Sequence, residues 1–423
     1  MRGAPDSAAA TGWRGFVAPL GLGDFRRLWL ANGLWWNSLF MEQVIFGWLA
    51  LSLTDSAWWV ALLGFFRSAP VSLTGVLGAS LAERFQRRHL ILFLQLVNLS
   101  GLAAIALLHW GGHLAYWHLA AVSLANGAAW SLDWPTRRAL IPDLVGRGRV
   151  VDGVMLDNVL QSVSRIAGPL LAGTAMAALG TGRSLGLLCA ASALAAASLA
   201  GLRTGARAPV AASGVRQSVE RLRGGLTYVL AQPRILGVVL VTVTMNVWAF
   251  PFQGLLPVFA RDVLGRGPAG LGLLGAAHGV GVLAGLAAVQ GARRQWSNEA
   301  IFGWGSVLST AGILCFALSQ YFALSLAMLV VAGLGQACFS TMQSSIPLMA
   351  ASEEMRARAM GAVVLAIGLG PFGRLQSGAV AALWGAPLSV AAMALLAMST
   401  TAGAMAAVRG FVRGRRPGGD SPG

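Results

Sequence analysis

Residues 78–92 read GASLAERFQRRHLIL, and four charges, Glu83, Arg84, Arg87 and Arg88, fall within six positions of that stretch. The sequence on either side is almost without charge for the length of a membrane crossing. A charge cluster this tight between two long apolar runs reads as a short loop joining two transmembrane helices. The remainder of the chain repeats the pattern. Of its 423 residues 56% are hydrophobic and 11% are charged, against about 25% charged in soluble domains. Most of the length is therefore suited to lipid rather than water.

A helix crossing the hydrocarbon needs about 20 apolar residues, and twelve such spans are expected. They lie near 28–52, 58–80, 90–110, 114–132, 154–178, 183–202, 234–256, 268–290, 300–318, 322–346, 361–384 and 387–408. The first 27 residues hold Arg2, Arg14, Arg26 and Arg27 without a separate short apolar core, so no cleaved signal peptide is expected. Cys189, Cys315 and Cys338 all fall inside spans, where cysteine is ordinarily a small apolar packing residue.

A net charge of +16 invites a nucleic-acid reading, but every one of the 31 cationic residues is arginine, and their placement points elsewhere. With both ends on one side, the twelve-span threading puts 25 arginines on that side and only Arg183, Arg261 and Arg266 on the other. Cytoplasmic loops retain arginine in this way. Both termini and the 83–89 loop are therefore expected on the cytoplasmic side, with a lipid bilayer and not nucleic acid as the large partner.

A polar stretch from 204 to 233 divides the chain. The expected organisation is a cytoplasmic tail at 1–27, a six-helix bundle at 28–203, a cytoplasmic linker at 204–233, a second six-helix bundle at 234–408 and a tail at 409–423. Val215, Val219, Leu222 and Leu226 recur at helical spacing in the linker, as in an amphipathic helix at the membrane surface. The fold class expected is an all-α membrane protein with twelve transmembrane helices in two bundles. Such six-plus-six repeats place a substrate site between the halves and permit alternating access.

Ionisable groups inside spans are costly in hydrocarbon and so mark functional positions. Here they are Glu42, Arg67, Asp157, Arg165, His278 and Arg374. Spans one and two turn back at LTDSA, and Glu42 and Arg67 stand at nearly equal sequence distances from Asp55, so they should meet as an ion pair. That pair reads either as a proton-coupling element or as structural. Asp157 with Arg165 on span five is the other coupling candidate. Polar stripes mark Asn158 and Gln161 on span five, Thr242, Asn246 and Gln253 on span seven, and Gln336, Ser340 and Gln343 on span ten. These line a cavity or bond helix to helix. Trp35, like Trp36, Phe40, Phe65, Phe66, Trp248 and Phe250, reads either as a surface on which a substrate stacks or as ordinary bundle packing and interfacial anchoring, and Arg374 sits mid-span. Spans three, six, nine and twelve carry no deep ionisable group, which marks them as lipid-facing. No phosphate-cradling GxxxxGK[ST] occurs, no nucleophile stands with a base, and the His109, His113 and His118 cluster lacks Cys or carboxylate company. No enzyme, cofactor or metal is expected.

The loop Ala79-Ser80-Leu81-Ala82-Glu83-Arg84-Phe85-Gln86-Arg87-Arg88 is similar to the first-loop motif G-x-L-a-D-r-x-G-R-k, with Glu83 for Asp. RIAGPLLAG at 165–173 is similar to the antiporter motif g-x-x-x-G-P-x-x-G-G, keeping Gly168, Pro169 and Gly173. WPTRRALIPDLV at 134–145, GGLTYVLAQPRI at 224–235 and LPVFARDVLGRGPAGLGLL at 256–274 narrow the likeness. On these residues the chain resembles the major facilitator superfamily, in its drug-exporter and siderophore-exporter branch of transmembrane secretion effectors, enterobactin-exporter-like. The resemblance implies a bacterial inner-membrane antiporter, expected as a monomer, that exports a small amphipathic molecule, drug-like or siderophore, against protons. It also implies that Glu83, Arg84, Arg87 and Arg88 form a cytoplasmic gate. The superfamily's coupling arginine of span four is replaced by Ser123. Uptake or lipid movement by the same fold, and a non-transporting scaffold or sensor, are the alternatives.

Overall fold

Runs of Leu, Ala, Val and Gly leave the backbone no hydrogen-bonding alternative in lipid except the helix. In the computed structural model, which describes residues 16–82, 85–203 and 227–407, every long element is helical. The first half comprises α1 (Gly23–Thr54), α2 (Ala57–Ala82), α3 (Arg87–Trp110), α4 (Tyr116–Val145), α5 (Val150–Leu179) and α6 (Thr181–Ala200). The second comprises α7 (Pro233–Val263), α8 (Pro268–Ala292), α9 (Asn298–Leu318), α10 (Phe322–Ala350), α11 (Arg356–Trp384) and α12 (Ala386–Ala407). Among the described residues nine of these are long and apolar enough to cross a membrane by length and composition alone: α3 and α5 to α12. The linker positions 215–226 lie outside the described residues.

Turns between helices follow local chemistry. Asp55 adopts a left-handed conformation, φ 49°, and closes α1 through its N–H to the Leu51 carbonyl. Gly146 ends α4 with a positive φ of 75° and an extended ψ of 160°, its N–H bonded to Pro142 O. Ser297 caps α9 by accepting from the Ala300 N–H at 3.1 Å.

Two helices of the second half are interrupted. In α7 the backbone widens to π geometry at Met245–Ala249 and again at Phe259–Val263, on either side of Pro251 and Pro257. Pi segments of this kind cluster at functional sites. In α11 the helix breaks between Ile367 and Gly370, and Pro371 starts the next segment, where its missing N–H costs nothing. The carbonyl of Gly368 freed by that break accepts Ser72 Oγ of α2 at 2.6 Å.

The halves meet where α5 packs on α8, α2 on α11, and α1 and α2 on α7. A Cβ on Gly173 would stand 2.6 Å from Pro268 O and 2.8 Å from Gly272 Cα, so α5 and α8 approach backbone to backbone. The antiporter-like motif supplies that contact. Gly168 serves α1 similarly, where a Cβ would lie 2.6 Å from Phe40 Cβ, and Pro169 rests against Gly272 and Gly275. At the end of the molecule opposite the termini, Arg261 of α7 pairs with Asp55 and also donates to Leu51 O at 3.4 Å. That end is clasped. Large apolar side chains on α3, α6, α9 and α12, including Phe93, Leu107, Leu194, Trp304 and Leu388, point outward and exposed, as a lipid-facing surface requires.

Candidate functional site

A cavity of about 270 Å3 opens between the halves, and its walls come from α1, α2, α4, α5, α7, α8 and α11. None of α3, α6, α9 or α12 contributes to it. Its polar side chains include Glu42, Arg67, Arg165, Gln253, His278 and Arg374.

Glu42 is only 2% exposed, yet it lines this wall. Arg67 of α2 donates to Glu42 Oε1, and Asn126 Nδ2 of α4 donates to the same oxygen at 3.1 Å. The hairpin at Asp55 brings Glu42 and Arg67 to one depth. Asn126 reaches them because its neighbour is glycine: a Cβ on Gly127 would fall 2.0 Å from the Arg67 carbonyl. Ser123, one turn before Gly127 on α4, lines the same cavity. The cation facing Glu42 thus comes from α2, where the superfamily pattern would have supplied it from α4.

The second coupling candidate divides. Asp157 and Arg165 are eight residues apart on α5, about 12 Å of helix rise, and they take separate partners. Asp157 accepts from Asn32 Nδ2 at 2.8 Å and lies 4.0 Å from Arg138 Nε. Arg165 faces the cavity and lies over the Phe40 ring, 5.3 Å from its centroid.

Among the expected cavity residues, Gln253 and Arg374 line the wall. The others are held elsewhere. Trp35 is buried beneath the Arg137 guanidinium, 4.8 Å from ring to cation, and borders a small void behind the cavity. Asn158 is exposed and accepts from Arg138. Gln161 is half-buried one turn further along α5 and is not in the wall. Thr242 accepts from Gln343 Nε2 at 3.1 Å, a bond from α10 to α7, so those two stripes meet each other instead of a substrate. Asn246 donates to Thr242 O and Ser340 to Ala337 O, each within its own helix. Gln336 of α10 approaches the buried His278 of α8 from behind the wall.

The expected gate also differs. Glu83 and Arg84 lie outside the described residues. Arg87 donates to Ala139 O at 2.7 Å and Asp143 at 2.8 Å, and Arg88 donates to Ala200 O at 3.0 Å. Both arginines therefore hold the ends of α4 and α6 within their own half, where cations favour helix C-termini.

One cluster was not foreseen. Asp133 and Arg137 of α4 were expected beyond the end of span four, among cytoplasmic loop charges, but α4 continues to Val145 and buries both. Arg137 Nε bonds Asp133 at 2.8 Å, one terminal nitrogen bonds Asn32 Oδ1 at 3.1 Å, and the other bonds Gln95 Oε1 at 2.9 Å. Gln95 continues to Ser192 Oγ at 2.9 Å, and Asn32 to Asp157. Helices α1, α3, α4, α5 and α6 are thereby tied through one guanidinium. The i, i+4 spacing of Asp133 and Arg137 was the available sequence signal.

The family model described as transmembrane secretion effector matches residues 14–415. Among curated proteins, none matches the sequence. Solved structures with the same fold include a peptide transporter POT in complex with sulfate, 14% identical, covering 96% of this chain and 97% of that one with a TM-score of 0.74. A bacterial homolog of the human lysosomal transporter Spinster, inward-facing and unoccupied, is 13% identical over 93% and 99% of the two chains, TM-score 0.70. The nucleoside transporter NupG is 14% identical over 90% and 98%, TM-score 0.69. At these identities the likeness is one of fold.

Proposed function

Because this chain belongs to the transmembrane secretion effector family of major facilitator transporters, we propose that it exports a small amphipathic molecule by exchange for protons, through alternating access of the cavity between its halves. The observation that carries the reading is the Glu42–Arg67 ion pair, with Asn126, set in the cavity wall. A buried carboxylate held by one removable cation is a group that a proton can neutralise. Protonation of Glu42 frees Arg67 toward the cavity, and the loss of that pair loosens α2, the helix that packs on α11 and α7 of the other half. The clasp of Asp55 to Arg261 closes the end away from the termini, which the arginine bias makes the outer end. The protein is read as a multi-pass protein of the bacterial inner membrane with both termini cytoplasmic, working as a monomer.

Purified protein in proteoliposomes tests the coupling. A pH gradient should drive movement of a fluorescent amphipathic compound, and Glu42→Gln should abolish the gradient-driven component while leaving exchange without a gradient. Gradient-driven rates unchanged in Glu42→Gln would remove Glu42 from the mechanism. The orientation has its own test: a single cysteine at Gln86, in a background with Cys189, Cys315 and Cys338 replaced by alanine, should resist an impermeant maleimide applied to intact cells. Labelling from outside would reverse the threading.

A further inference from the structure

The charge in the central cavity does not balance. Among the described residues three arginines and one carboxylate line it, and the carboxylate is already engaged, since Glu42 takes Arg67 and Asn126. Among the described residues neither Arg165 nor Arg374 has an acidic group within ion-pair distance, and neither side chain donates a hydrogen bond to another described residue. Arg165 has only the face of Phe40. Two guanidinium groups are thus presented to one cavity without counter-charge, one from each half of the protein.

Their placement is built in. Arg374 follows directly on the Gly370-Pro371 restart of α11, and its guanidinium occupies space that α2 and α7 leave open. A Cβ on Gly64 would stand 3.1 Å from its Nη1, and one on Gly254 would stand 3.9 Å from the same atom. A larger residue at Gly64 would push the cation out of the wall. Arg165 lies immediately before the Gly168-Pro169 segment that packs α5 onto α1 and α8. Neither arginine is a floppy surface side chain. Removing a guanidinium from water without a partner is costly, and an anion entering the cavity removes that cost twice over.

The remaining wall is apolar. Phe40, Phe46, Leu63, Trp130, Leu256 and Leu271 surround the cations. We propose that the cargo is an amphipathic organic anion whose acidic group is taken up by the cavity's unpaired guanidinium groups, Arg165 of α5 and Arg374 of α11, with its apolar body against these side chains. The inference rests on the transporter reading of the same cavity. It adds a substrate class, and it adds a reason for the two halves to close on cargo: each supplies one cation, and bidentate guanidinium contacts to a carboxylate are short and directional. It also separates the roles of the arginines, Arg67 serving the proton and the other two serving the cargo.

Three probes of one skeleton test it: 1-naphthaleneacetate, its neutral amide and the cationic 2-(1-naphthyl)ethylammonium, each titrated against detergent-purified full-length protein by thermal shift. Laurate is a fourth probe, for an acidic lipid as the source of the anion. Stabilisation by naphthaleneacetate at concentrations at least about tenfold below those its amide requires supports a water-soluble anionic cargo. The same preference for laurate alone supports an acidic lipid held by the same two cations. In Arg165→Gln and in Arg374→Gln the anion preference should drop about tenfold each, while Arg165→Lys and Arg374→Lys, which keep the charge, should retain most of it. The lysine variants also guard against misfolding of the glutamine ones. Equal stabilisation by the amide or the cation, or an anion preference that survives in the double glutamine variant, would overturn the proposal. The two readings fail separately: gradient-driven movement of the neutral or cationic probe that requires Glu42 would keep proton exchange and sink the anion site, whereas anion binding without any gradient-driven movement would keep the site and sink the export reading.

Discussion

Two arginine clusters in this protein differ in one respect. Arg137, 2% exposed, has each of its three guanidinium nitrogens hydrogen-bonded, to Asp133, Asn32 and Gln95, and its face covered by Trp35. Arg165 and Arg374 reach a cavity and answer to no carboxylate among the described residues. A saturated buried network ties helices together and cannot accept a ligand without losing a bond. An unsaturated pair can. The same residue type therefore serves cohesion in the first half and recognition between the halves, and the difference lies in what neighbouring helices supply.

The largest effect is expected from breaking the saturated cluster. Arg137→Met leaves Asp133 buried without its cation and should lower unfolding stability by about 3–5 kcal/mol, seen as a lower midpoint in thermal unfolding of the purified protein. Arg374→Met, in contrast, should leave the midpoint unchanged or raise it, because an uncompensated charge leaves the cavity. Similar losses from both would erase the distinction between the clusters. The double variant Asp133→Leu with Arg137→Met should recover part of the loss, since it removes both charges together.

A middle-sized effect belongs to the seam on which the cavity depends. Gly173→Ala forces a methyl against Pro268 O and Gly272 Cα and should cost about 1–3 kcal/mol and slow exchange in proteoliposomes. Gly291→Ala, where nothing lies within 4 Å of the added methyl, is the matched control and should behave as the parent. Smallest is the outer clasp. Asp55→Asn, which tolerates the left-handed turn, removes an exposed ion pair worth about 0–1 kcal/mol, so the unfolding midpoint should barely move. Spin labels at Trp59 and Leu264 should nonetheless report a larger separated population, and distances identical to those of the parent would show that the clasp does not hold that end.

How legible these features were in the sequence depended on range. The hairpin that pairs Glu42 with Arg67 could be read by counting outward from Asp55, because two antiparallel helices joined by a tight turn fix depth by sequence distance alone. The placement of α3, α6, α9 and α12 away from the cavity followed from their lack of charged residues away from the helix ends. Asp157 and Arg165, read together, take separate partners because two residues on one helix, two turns apart, cannot reach each other; those partners came from α1 and α4. Thr242 and Gln343 were each read as polar stripe residues, and only the packing of α7 on α10 turned them toward one another.

Composition was enough to establish that this chain is a set of long apolar helices suited to lipid, since burial in hydrocarbon is a property of each segment by itself, whereas the continuation of α4 to Val145 was not legible in it. Whether a given arginine is locked or free was decided only in three dimensions. Arg137 finds Asn32 and Gln95 from positions 105 and 42 residues away, and Arg374 keeps its place because Gly64 and Gly254 on two other helices yield the room. Desolvation of a charge is settled by the sum of its neighbours, and neighbours drawn from distant helices have no signature in the local sequence.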